Sequence, residues 1–158
     1  MNASMPELKR CFETAGFTDV RTILSSGNVA FGARMKSPDA IARRAQDAMA
    51  AGLDRTFGTF VRPATRLQEL VESDPFAAFD LPRSGKRIVT FLRQPPEPGV
   101  TLPIERDGAR ILKVVAAEVL ACYVPGDKGP AFMRLLERTF GTDITTRTLD
   151  TVRKCASA

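Results

Sequence analysis

Between Thr145 and Lys154 the chain places four threonines, two arginines, a lysine and an aspartate within ten residues. These are the groups that hold an oxyanion. Arg147 offers a planar bidentate fork, Thr145, Thr146 and Thr148 offer hydroxyls, and Lys154 adds positive charge. The same residue types also build a helix N-terminus. There Thr148 or Thr151 would accept from backbone N–H groups, and Asp150 would sit favourably in the first turn. A second candidate is Ser26-Gly27-Asn28, preceded by Ser25. Successive amides in such a turn can form an anion-binding nest, and the same residues suit a tight hairpin turn with positive φ. In both segments the anion site and the structural role stay open on the sequence alone.

Other chemistries are excluded by composition. The chain has no histidine, which removes Ser-His-Asp and Cys-His catalysis and histidine-ligated metals. Cys11, Cys122 and Cys155 are three, widely spaced and without a CxxC pair, so neither a disulfide framework nor a zinc knuckle is expected. Cys11 falls in a helical pattern and Cys122 in a strand pattern, where a thiol reads as a small buried hydrophobe. Cys155 lies next to Lys154 and two positions after Arg153, cations that favour a thiolate. There is no HExxH, Walker A loop or GxGxxG, and no metal or cofactor is expected. Glu118, Asp127, Lys128 and Asp150 are polar groups near loops or element ends, to which no catalytic role is assigned.

The net charge of +5 is uneven: residues 1–80 carry ten basic and ten acidic side chains, residues 81–158 thirteen and eight. A basic half can attract phosphate or nucleic acid, and it can equally be a solvated surface. One Tyr and no Trp supply a poor stacking platform for single strands. No apolar run approaches the roughly 20 residues of a membrane span, and the N-terminal residues lack a basic and an apolar region, so no membrane association is expected and a cytoplasmic location is.

The elements that must carry these groups follow from spacing. Met5 to Ala15 reads as an amphipathic helix, with Leu8, Cys11, Phe12 and Ala15 on one stripe and Gly16 as its stop. Val20–Leu24 and Val29–Phe31 read as strands around the Ser25–Asn28 turn. Ser37 and Pro38 start a helix that Gly52 closes. Phe57–Val61 reads as a third strand, Thr65 caps a helix to Ser73, and Asp74-Pro75 breaks it. Arg87–Leu92 is a strand, and Gln94–Pro103, with four prolines, is a linker. Arg110–Val115 and Val119–Val124 form a hairpin around Ala116-Ala117-Glu118. Gly126–Pro130 is a loop, a helix runs from Pro130 to the Gly141 cap, and from Thr145 a loop leads into a short helix with Leu149, Val152 and Cys155 inward. Interleaved short strands and helices indicate an α+β fold with mixed sheets.

A resemblance extends along nearly the whole chain. Met5-Pro6-Glu7-Leu8, Gly16-Phe17-Thr18-Asp19-Val20-Arg21-Thr22 and Ser26-Gly27-Asn28-Val29-Ala30-Phe31 occur in order. Asp74-Pro75-Phe76, Val89-Thr90-Phe91-Leu92, Leu135-Leu136-Glu137-Arg138 and Thr145 to Val152 follow. Together they resemble domain-of-unknown-function family 1697. The resemblance implies a bacterial cytoplasmic α+β protein of two ferredoxin-like α/β sandwich halves with mixed or antiparallel sheets, and no established activity. The expected division is residues 1–80 for the first half and 81–158 for the second, with the terminal helix. Family members usually begin with a strand and a glycine-rich segment ahead of the first helix. This chain starts after it, so the first half is expected to miss its first strand. Leu149 stands where the family usually carries Trp.

The leading functional expectation is non-catalytic binding of a phosphorylated small molecule or nucleic acid. The alternatives are an enzyme of unknown reaction needing the absent N-terminal segment, and an interaction module pairing through an open sheet edge, including a homodimer.

Overall fold

Local signals set the ends of most elements. The computed structural model describes residues 3–34, 36–55, 57–126 and 130–158. Helix α1, Met5–Thr14, begins at a capping box: Glu7 N donates to Ser4 Oγ at 3.3 Å, and Ser4 N donates to Glu7 Oε2 at 3.2 Å. Gly16, with φ 94°, turns the chain into β1, Thr18–Ile23. Leu24–Gly27 connects β1 to β2, Asn28–Gly32. Helix α2, Pro38–Leu53, has Ser37 as N-cap. It continues past Gly52 and stops at Asp54, whose φ of 54° is left-handed.

The chain divides into two units, Met1–Glu69 with Arg153–Ala158, and Leu70–Val152. In the first, α1-β1-β2-α2 follows the ferredoxin-like order at its centre. The β1–β2 pair is antiparallel and forms a two-stranded sheet. Its core gathers Leu8, Cys11 and Phe12 of α1, Phe17, Val20 of β1, and Ile41, Ala45 and Met49 of α2, with Val29 and Phe31 packed against them. Phe12, Phe17 and Phe31 form a triangle of tilted rings with centroids 4.6–5.6 Å apart.

Phe57–Val61, expected as a third strand, joins no sheet. Its β-rich composition reflects burial instead, since Phe57 and Val61 pack on that same core. A strand exists only through its ladder partner, which composition does not supply. Helix α3 is Ala64–Glu72, so Thr65 lies inside the first turn rather than at the cap. In the first unit, Gln68 Nε2 of α3 donates to Ala156 O at 3.1 Å.

The second unit holds β3 (Lys86–Leu92), β4 (Ile104–Arg106), β5 (Ala109–Val115), β6 (Glu118–Tyr123), α4 (Ala131–Phe140) and β7 (Ile144–Thr148). They form one antiparallel sheet in the order β4-β5-β6-β3-β7, with α4 packed on it. The fold is therefore α+β with two antiparallel sheets. All of Ile88–Leu92 and Glu118–Cys122 are buried, so both faces of these central strands are covered, and they read as near-continuous apolar runs. Ile88, Leu92, Ile111, Val119 and Ala121 pack under Phe132, Leu135 and Leu136 of α4.

Two strands differ from the sequence expectation. Strand β4 turns into β5 through Asp107-Gly108, with φ of 51° and 81°, the paired positive values of a type I′ hairpin. The ten residues from Ile144 to Arg153 are not loop then helix: Ile144–Thr148 is β7, and α5, Leu149–Ala156, follows without a break. Threonine-rich sequence fits an edge strand because β-branched residues suit the pleat and half-exposure tolerates their hydroxyls.

Candidate functional site

Strand β7 positions the threonine and arginine side chains. It pairs antiparallel with β3, Val89 opposite Arg147, Thr90 opposite Thr146 and Phe91 opposite Thr145. Alternation puts Thr145 and Arg147 on one face and Thr146 and Thr148 on the other. Arg147 is half-buried and held by its own strand: one terminal nitrogen donates to Thr145 Oγ1 at 2.8 Å and to Thr146 O at 2.7 Å. A guanidinium fixed in this way loses little freedom on meeting an anion.

Thr148 is the N-cap of α5. Thr151 N donates to Thr148 Oγ1 at 3.3 Å, and the two hydroxyls lie 3.1 Å apart. Asp150 occupies the first turn and Arg153 and Lys154 the last, each at the end of the helix dipole that favours its charge. Lys154 is thus roughly 9 Å along the axis from Thr148, at 1.5 Å per residue. The capping role and the arginine-bearing strand coexist because β7 runs directly into α5.

The structure brings Thr145 and Arg147 together on one face of β7 and leaves Thr146 and Thr148 on the other. Ser26, Gly27 and Asn28 belong to the other unit. There Asn28 Nδ2 donates to Ile23 O at 3.1 Å and Ser26 Oγ at 2.9 Å, while Gly27 adopts φ 89°. These contacts close the hairpin turn from inside, which is the structural role those residues offered.

Thr90 was missed by sequence reasoning. It is fully buried on β3 opposite Thr146, and its hydroxyl has no hydrogen-bond partner. A threonine within an apolar strand run gives no sequence signal of this. Glu118 is 1% exposed at the start of β6. Asp127 and Lys128 lie outside the described residues. Cys11 and Cys122 are buried, and burial pushes both thiols up, with nearby arginines opposing; Cys155 is half-buried. Among the described residues no three acidic or cysteine side chains gather as a metal site. No described helix is long and apolar enough to cross a membrane.

The family model described as "Protein of unknown function (DUF1697)" matches residues 1–118. The chain belongs to this family. No curated protein matches the DUF1697 chain. Its fold is similar to that of a conserved bacterial protein from Streptococcus pneumoniae, with a TM-score of 0.67 and 15% identity over 99% of this chain and 88% of that one. At that identity the likeness shows the fold alone.

Proposed function

We propose that this DUF1697 chain is a non-catalytic binding protein for a phosphorylated small molecule, with Arg147 as the principal donor and Thr145 as its hydroxyl partner. The reading rests on one observation: the Arg147 guanidinium is half-buried and braced by Thr145 Oγ1 and Thr146 O on a strand that leads straight into a helix N-terminus. A fixed fork recognises a planar pair of phosphate oxygens, and the start of a helix favours negative charge. The excess of thirteen basic over eight acidic residues in 81–158 attracts the same ligands over longer range.

The test is thermal melting with inorganic phosphate, sugar phosphates, nucleotides and short oligonucleotides, on the wild type and Arg147→Ala. A ligand at a hundredfold its Kd stabilises by about 2.7 kcal/mol, and Arg147→Ala should abolish that response while Arg147→Lys keeps part of it. No response to any anion, or a response that Arg147→Ala leaves unchanged, refutes the reading. A response confined to oligonucleotides and falling steeply with salt assigns the surface to nucleic acid instead.

A further inference from the structure

The connection from β3 to β4 is longer than its span requires. Strands β6 and β5 lie between the two, and register through Ala121 sets Ile104 level with Ile88, short of the end of β3 at Leu92. At about 4.8 Å between strands and about 3.4 Å per residue along them, the gap from Leu92 to Ile104 is roughly 20 Å. Residues 93–103 reach about 34 Å in polyproline II geometry. The surplus stands off the end of the sheet as a strap, exposed except at Pro96 and Leu102, which are half-buried. Its prolines set its shape. Pro95, Pro96 and Pro98 hold φ at about −65°, and Pro95 and Glu97, each before a proline, are steered to extended backbone. Pro95 to Pro98 is therefore disposed to one left-handed polyproline II turn, ended by Gly99 at φ 121°. At about three residues per turn, Pro95 and Pro98 share one edge of that turn, roughly 9 Å apart. The burial agrees: Pro95 and Pro98 are exposed, and Pro96 is half-buried. No group from Gln94 to Pro96 has a hydrogen-bond partner among the described residues. Val100, 41% exposed, adds apolar surface beside them. Arg93 is held by Asp143 at 2.9 Å, whereas Glu97 is exposed and has no ion pair among the described residues.

We propose that the strap Gln94–Val100 docks into a groove of aromatic rings, with a basic group at its rim, on a second protein. Pro95 and Pro98 lie against the ring faces, and the unbonded carbonyls of Gln94 and Pro95 accept from a Trp or Tyr in the groove wall. Glu97 meets the basic rim. A second copy of this chain does not supply such a groove: it has no Trp, and its single tyrosine, Tyr123, is stacked on Phe132. The strap is stiffened by its prolines and anchored at both ends by the ladders of β3 and β4, so docking orders little chain.

The test titrates the full chain, labelled for amide NMR, with a panel of SH3 and WW domains as aromatic-groove probes. At least one should shift the amides of Gln94, Glu97, Gly99, Val100 and Thr101 and leave those of the strands in place. Replacing both Pro95 and Pro98 by Ala should raise that Kd at least about tenfold. Glu97→Lys should raise it as well, and Pro96→Ala should raise it less than the double substitution. Melting at the wild-type temperature shows that each variant is folded, and should the double variant melt lower, Glu97→Lys decides. A panel that leaves the strap amides unmoved, shifts that map elsewhere on the chain, or variants that keep the wild-type affinity overturn the proposal.

Discussion

Substituting Gly52 tests how closely α1 and α2 approach, and the sign of its effect should depend on one sulfur atom. A Cβ built on Gly52 would lie 2.8 Å from Cys11 Sγ. Non-bonded atoms settle at about 3.5–4.0 Å, so the overlap is on the order of 1 Å. Cys11 is buried, and its helical backbone restricts the rotamers by which it could escape. The overpacked methyl should cost about 1–3 kcal/mol, whereas replacing glycine by alanine in a helix gains about 0.5–1 kcal/mol. Gly52→Ala should therefore destabilise by up to about 2.5 kcal/mol, lowering Tm by up to about 10 °C for a chain of this size. In a Cys11→Ala background the obstacle is gone, only the helix preference remains, and the same substitution should raise Tm by about 1–4 °C. Calorimetric melting of the wild type, both single variants and the double variant closes the cycle and resolves separate transitions if the two units unfold apart. If Gly52→Ala stabilises in both backgrounds, or the coupling is under about 0.5 kcal/mol, the close approach does not govern this position.

Thr90→Val should stabilise by about 1 kcal/mol in urea denaturation, because it removes a buried hydroxyl that has no partner at nearly constant shape; destabilisation would mean that the hydroxyl is satisfied. Thr148→Ala should cost about 1 kcal/mol through loss of the α5 cap, with Thr148→Asp recovering most of it, and equal melting of all three forms would contradict the capping role. The Ser4 backbone N–H, then its hydroxyl, hold the exposed Glu7 carboxyl below the usual carboxylate range, aided by Arg10. That small contribution is present above the ordinary glutamate pKa and is lost as pH falls through the lowered value. An acid melting series should show it in the wild type and not in Glu7→Gln. For Cys11 and Cys122 the sign is opposite: burial raises both thiols, so their contribution is intact below the ordinary thiol pKa and fades as pH rises through the raised values. Native-state alkylation should accordingly label Cys155 first, and early labelling of Cys122 would show that its surroundings open.

What the sequence determined by itself was local. The Ser37 start, the Gly16 and Gly141 stops, the apolar stripe of α1 and the β5–β6 hairpin all depend on neighbours within a few residues, and all were legible, whereas the Ser4 capping box was not read. The Asp107-Gly108 turn is a hairpin signal of the same local kind, but Ile104–Arg106 fell between the Gln94–Pro103 linker and the expected Arg110 strand and was assigned to neither. Tertiary structure decided the rest. Phe57–Val61 has strand composition and packs as an apolar segment without a ladder, while Ile144–Thr148 has polar composition and is a strand because β3 lies beside it. The candidate site divides along the same line. Residue types marked Arg147 and its threonines as donors, but only the pleat of β7 separates Thr146 from Thr145 and Arg147, and only the β7–α5 junction makes Thr148 a cap. Hydrogen bonds across a ladder join residues more than fifty positions apart, such as Thr90 and Thr146. No short-range pattern encodes that proximity, so pairing, and the side to which each hydroxyl points, emerges only when the chain has folded.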